Sequence, residues 1–161
     1  MALQRQHYCA ILRNNRLQCG PFNTAVVDIA SLPHAQVPKD LQQVQDVAAG
    51  RSFTCAVQKN GEIRCWGDVE QYGNEFVLEP PVGNYYKAIA ATDYEACAIT
   101  LDDLVHCWGR PFSNALYVPS QVQSVERLQA GSDHFCAHMT NQEILCWGSN
   151  RYGELSPQYA S

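Results

Sequence analysis

Charge is scarce in this chain. Only 17% of its 161 residues are charged, the formal net charge is −5, and the 11 basic residues form no run. Such a balance gives no bulk attraction for nucleic acid or for an anionic lipid surface. No apolar stretch approaches the roughly 18 residues that a membrane-spanning helix requires, so membrane insertion is not expected. The opening residues, Met1-Ala2-Leu3-Gln4-Arg5-Gln6-His7, lack the apolar centre of a secretion signal. That leaves a cytosolic chain, or one whose signal has been removed and replaced by an initiator methionine. Catalytic signatures are missing too. There is no Gly-x-Ser-x-Gly elbow, no phosphate-cradling glycine loop, no Walker-type lysine and no Cys-x-x-Cys redox pair. Neither catalysis nor a cofactor is expected.

Cysteine, by contrast, is plentiful. Eight cysteines in a chain this short are dense for a cytosolic protein and usual for a secreted one. They fall into four pairs: Cys9 and Cys19, Cys55 and Cys65, Cys97 and Cys107, Cys136 and Cys146. Each pair has the spacing Cys-x9-Cys, and successive first cysteines lie 46, 42 and 39 positions apart. The surrounding words repeat as well. Cys-Ala opens all four units, and Cys65-Trp66-Gly67, Cys107-Trp108-Gly109 and Cys146-Trp147-Gly148 close three of them. Upstream stand Val44-x-x-Val47-Ala48-Ala49-Gly50, Tyr86-x-x-Ile89-Ala90-Ala91 and Val125-x-x-Leu128-Gln129-Ala130-Gly131. A repeat of this period marks a stack of similar units. It predicts one domain over 1–161, with units at about 1–36, 37–80, 81–118 and 119–161.

The spacing also predicts a hairpin. With Cys55 opposite Cys65 the midpoint is Asn60, so the loop is odd, and Lys59-Asn60-Gly61 suits a type I turn closed by a left-handed residue. Asn15, Asp103 and Gln142 take the place of Gly61 elsewhere. Asn and Asp tolerate positive φ; Gln142 fits poorly. Opposed cysteines in an antiparallel pair approach to about 4.5–5.5 Å at Cα, within reach of a disulfide. Closing such a loop stabilises by roughly 2–3 kcal/mol, less any strain. Four reduced pairs are the alternative, and zinc would need two further ligands that the hairpin does not supply.

The pattern Ala-Gly-x-x-x-x-Cys-Ala-x-x-x-x-Gly-x-x-x-Cys-Trp-Gly, complete from Ala49 to Gly67, resembles the regulator of chromosome condensation repeat. More narrowly, it is similar to the cysteine-paired version in secreted bacterial proteins and in the ectodomains of plant crinkly-type receptor kinases. The resemblance runs from about Tyr8 to Leu155, with the first unit degraded to Cys19-Gly20-Pro21. It implies an all-β fold of propeller blades, ordinarily about seven of four strands each. Family members are binding platforms: exchange factors for a small GTPase, a β-lactamase inhibitor, receptor ectodomains. Only four repeats are present, and the first leaves no room for its upstream strand. The arc is therefore expected to close as a small propeller, remain open, or be completed by oligomerisation or as a piece of a longer protein.

The expected function is a non-enzymatic protein-binding scaffold, secreted or extracellular, presenting loops between blades. A lectin-like role and a self-assembling structural role are the rivals. Trp66, Trp108 and Trp147 share one repeat position and are expected to pack between blades. The candidate ligand-binding residues are Tyr72 and Tyr152, in matching exit loops, and Tyr94 and Glu95, where Asp93-Tyr94-Glu95 emerges on one face. Tyr86 is expected to point inward with Ile89. His134 is expected to pack, and His106 to face away from Cys107.

Overall fold

A computed structural model of the chain describes residues 2–3, 7–21, 33–70, 73–111 and 113–150. They fold into four antiparallel sheets of three strands each. The first blade holds β1 (Ala2–Leu3), β2 (His7–Ile11) and β3 (Leu17–Pro21). The second holds β4 (Val44–Ala49), β5 (Phe53–Gln58) and β6 (Ile63–Gly67). The third holds β7 (Tyr86–Ala91), β8 (Glu95–Thr100) and β9 (Val105–Gly109). The fourth holds β10 (Val125–Ala130), β11 (His134–Met139) and β12 (Ile144–Gly148). Among the described residues the blades follow one another in chain order and the sheets do not close into a ring.

Two sequence expectations are corrected. Each described sheet has three strands, not four; in blades two and three the chain leaving Cys-Trp-Gly turns into short 3-10 segments, Glu75–Leu78 and Asn114–Leu116. The first blade also does have an inner strand. Ala2 pairs with Cys9 as Ala48 pairs with Cys55, so two residues before the hairpin suffice to begin one.

In every blade the cysteines are cross-strand partners, and each pair is bridged, with Cα–Cα distances of 4.0–4.1 Å. The hairpin tips repeat as well. Asn15, Gly61, Asp103 and Gln142 all have positive φ, at 61°, 88°, 63° and 72°. Gln142 thus adopts the conformation its side chain disfavours, and its amide closes the same turn on Met139 that Gly61 closes on Gln58. The loop length and the bridge behind it impose the turn on whatever residue stands there.

Blades join through side chains and backbone. The cysteine-bearing face of each blade packs on the tryptophan-bearing face of the next. Val57, Ile63 and Ala48 thus meet Tyr86, Ile89 and Trp108, while Ile99, Val105 and Ala90 meet Val125, Phe135 and Trp147. Tyr86 does point inward with Ile89. Strands covered on both sides have no polar alternation, and β5 and β8 are buried at all six positions. Trp108 Nε1 donates to Val77 O and Trp147 Nε1 to Ala115 O, each at 2.9 Å, tying the blade to the preceding 3-10 segment. Trp66 Nε1 is buried without a partner. Between blades, the carbonyls of Asn15, Gly61 and Asp103 accept from the amides of Val44, Tyr86 and Val125, each at 2.8–2.9 Å. The tip of one hairpin therefore anchors the first residue of the following blade.

Candidate functional site

At the opposite end of the blades, three equivalent connections lie side by side: 50–52, 92–94 and 131–133. Two backbone bonds lace them together, Arg51 N to Asp93 O at 3.1 Å and Asp93 N to Ser132 O at 2.9 Å. The third strand of each blade closes beneath its connection through the glycine of Cys-Trp-Gly. Gly67, Gly109 and Gly148 have φ of 149°, 137° and 118°, and a Cβ there would lie 2.1–2.6 Å from the carbonyl oxygens of Ser52, Tyr94 and Asp133. Only glycine permits that approach.

In blades two and four the connection is built on glycine beneath a ring. Phe53 lies so close over Gly50 that a Cβ would sit 1.9 Å from its ring, and His134 covers Gly131 at 2.3 Å. His134 therefore packs as expected. Blade three breaks this rule. Thr92 replaces the glycine and Glu95 replaces the ring. The Thr92 hydroxyl donates to Glu95 Oε2 and accepts from the amides of Glu95 and Tyr94, at 2.9 and 3.3 Å. A hydrogen-bonded pair takes over the space that ring and glycine share elsewhere. Two further departures occur beside it: Tyr94 stands where Ser52 and Asp133 do, and Arg110 where Asp68 and Ser149 do.

These residues open onto a polar cleft of about 820 Å³ whose lining includes Arg51, Asp93, Tyr94, Arg110 and Asp133. Tyr94 is held from several sides. Arg51 Nη1 donates to its hydroxyl at 2.9 Å, the Arg110 guanidinium carbon lies 4.3 Å from its ring centroid, and Asn74 Nδ2 donates to its carbonyl at 2.7 Å. Beneath, Glu95 is only 1% exposed, with Oε1 lacking a hydrogen bond and Arg110 Nε 3.7 Å away.

Of the sequence candidates, the structure brings Tyr94 and Glu95 together, Tyr94 at the surface and Glu95 buried under it. Glu95 lies beneath the surface, with Tyr94 above it and the Arg110 side chain beside its carboxylate. Tyr72 and Tyr152 lie outside the described residues. His106 does not share the disulfide face; its Nδ1 lies 3.1 Å from the Tyr86 hydroxyl. Arg51, Asn74 and Arg110 were missed. Position-by-position comparison of the repeats carried the signal for Arg110, since it is cationic where its counterparts are acidic or neutral.

The family model of the regulator of chromosome condensation (RCC1) repeat matches residues 44–74 and 125–154. The chain is 29% identical over 140 residues to the ultraviolet-B receptor UVR8 of Arabidopsis thaliana, covering 72% of this chain and 32% of the receptor. It is 24% identical over 149 residues to the probable E3 ubiquitin-protein ligase HERC4 of Homo sapiens, covering 74% and 14%. The chain thus spans about a third or less of these relatives. Among solved structures, the ectodomain of the Physcomitrella patens receptor kinase CR4 superposes with a TM-score of 0.71 at 22% identity, over 91% of this chain and 39% of that one. Prp20p of Saccharomyces cerevisiae superposes with a TM-score of 0.72 at 17% identity, over 96% and 45%. Two stretches of the chain thus match this repeat, and the fold is that of the regulator of chromosome condensation propellers, here with each described blade pinned by its own disulfide.

Proposed function

We propose that this chain is a non-enzymatic protein-binding scaffold working in an oxidising, extracytoplasmic setting, with the Tyr94 cleft as its contact surface. The observation that carries the reading is the concerted change in blade three. Thr92, Tyr94, Glu95 and Arg110 all leave the pattern that blades two and four keep, and all four meet at one spot. Departures from a protein's own packing rule gather where function requires them. Tyrosine and arginine are also the side chains that most often carry the energy of protein contacts. The four disulfides support the compartment. Among the structural neighbours, Prp20 has been solved bound to Kap60, and the CR4 structure is the ectodomain of a receptor kinase.

Affinity capture from the native source, run in parallel with wild-type and Tyr94→Ala bait, tests the reading. A bound protein should be depleted about tenfold or more by the substitution. The melting temperature should fall by less than about 4 °C, because Tyr94 lies on the rim and not in the core. Equal retention of every captured protein by both baits would remove the cleft as the contact surface.

A further inference from the structure

We infer that the Tyr94 ring and the Glu95 carboxylate form a socket for a cationic side chain of a partner, a guanidinium or ammonium group, and that Arg110 is the chain's own placeholder in it. The inference rests on the protein-binding reading above and specifies what chemistry the cleft accepts.

Arg110 displays the contacts such a guest would make. Its guanidinium carbon lies 4.3 Å from the Tyr94 ring centroid, and its Nε faces Glu95 Oε1. The fit is incomplete. At 3.7 Å the Nε–Oε1 contact is too long for a hydrogen bond, and Oε1 has no other partner although Glu95 is 1% exposed. A buried carboxylate oxygen left in that state is an unmet acceptor, costly until a donor reaches it. Arg110 is poorly placed to satisfy it, because its own amide is tied to Tyr94 O at 3.3 Å and its side chain must double back over the same residue. A cation arriving from solvent is under no such restraint.

Three features favour exchange. The Arg110 side chain is 46% exposed, so it leaves the socket without opening the core. The Arg51 bond to the phenol hydroxyl fixes the ring, keeping its face turned to the vacated position. Asp93 and Asp133 line the same cleft and, with Glu95 beneath, outnumber Arg51 once the Arg110 side chain has swung out. A cation–π contact strengthens as the cation is desolvated, which a partner covering the cleft would bring about. Blades two and four have no counterpart, since Phe53 and His134 fill the carboxylate position and Ser52 and Asp133 the ring position.

The test uses acetyl-arginine amide as probe and acetyl-citrulline amide, its neutral isostere, as control, followed by side-chain and backbone nuclear magnetic resonance. In Arg110→Ala the arginine probe should shift the Tyr94 ring and Glu95 resonances saturably, with affinity about tenfold above wild type, where the tethered side chain competes. The citrulline probe should do neither, and Glu95→Gln added to Arg110→Ala should abolish the response. Should Arg110→Ala fold poorly, wild-type protein supplies the second measurement: the probe should move the Arg110 Nε–H resonance toward its solvent-exposed position. Equal shifts from both probes, equal affinity in wild type and Arg110→Ala, or an unmoved Arg110 signal at saturating probe would overturn the socket. None of these outcomes touches the scaffold reading, which stands or falls on the Tyr94→Ala capture.

Discussion

The disulfide-bearing faces of blades two and four differ in a way that shows how the stack is governed. In blade two, Ala48, Val57 and Ile63 lie against blade three, and Asp46 Oδ2 reaches across to accept from Ile89 N at 2.8 Å. In blade four the same register positions are Gln129, His138, Ile144 and Arg127. No described blade covers that face. The middle strand accordingly alternates between buried and half-buried residues, where β5 and β8 are buried throughout. Gln129 Oε1 and His138 Nε2 lie 3.0 Å apart, a polar pair where blade three places Ala90 and Ile99. One backbone plan carries both faces, apolar where the next blade packs on it and polar on the face that no described blade covers.

The strongest challenge to this comparison is to exchange the two faces. Ala48→Gln with Val57→His in blade two should cost about 3 kcal/mol or more, since it overfills a packed interface with groups that find no partners there. Chemical denaturation with the disulfides intact would measure it. The reverse change, Gln129→Ala with His138→Val, should alter stability by less than about 1 kcal/mol but raise self-association in sedimentation. Tolerance of the first change would show that the faces are not specified in this way.

A smaller effect sharpens the comparison between blades three and two. Trp108→Phe breaks the bond to Val77 O, whereas Trp66→Phe removes a buried donor that has no partner. The first should cost about 1 kcal/mol more than the second, because an unbonded buried N–H contributes nothing and its removal relieves a desolvation cost.

The smallest effect concerns Asp46. Burial pushes its carboxyl above the ordinary 3.8, partly opposed by the amides of Ile89 and Val47. A raised native value means the folded state holds the proton more tightly. Stability from this group is therefore complete below about 3.8 and declines as pH rises through the raised value. Stability against pH in that window should slope downward in wild type and flatten in Asp46→Asn. Parallel profiles would show that the staple between β4 and β7 does not titrate.

Much of the architecture was legible in the sequence because it rests on spacing. Cys-x9-Cys dictates which residues oppose one another, and the pairing in turn dictates the loop and the bridge. The tryptophans were legible for the same reason. Gln142 was not, since propensity argued against the conformation that loop length enforced. Glu95 was misread as part of the loop surface because a charged residue after Asp93-Tyr94 looks exposed. Its place two residues before Cys97, shared with Phe53 and His134, marked an inward position, and only the Thr92 hydroxyl makes a carboxyl acceptable there. The Arg51 contact was not legible, because it joins residues 43 positions apart through a bond between neighbouring connections.

The carbonyls of Asn15, Gly61 and Asp103 give the stack a direction. Each belongs to a hairpin clamped by its own sulfur bridge, and each holds an amide that lies one unit further along the chain. Opening the Cys97–Cys107 clasp by reduction would therefore loosen Val125 downstream sooner than Tyr86, whose anchor is the still-locked tip at Gly61. Hydrogen exchange would see that damage travel toward the C-terminus, so the molecule frays along one polarity even though its units are alike.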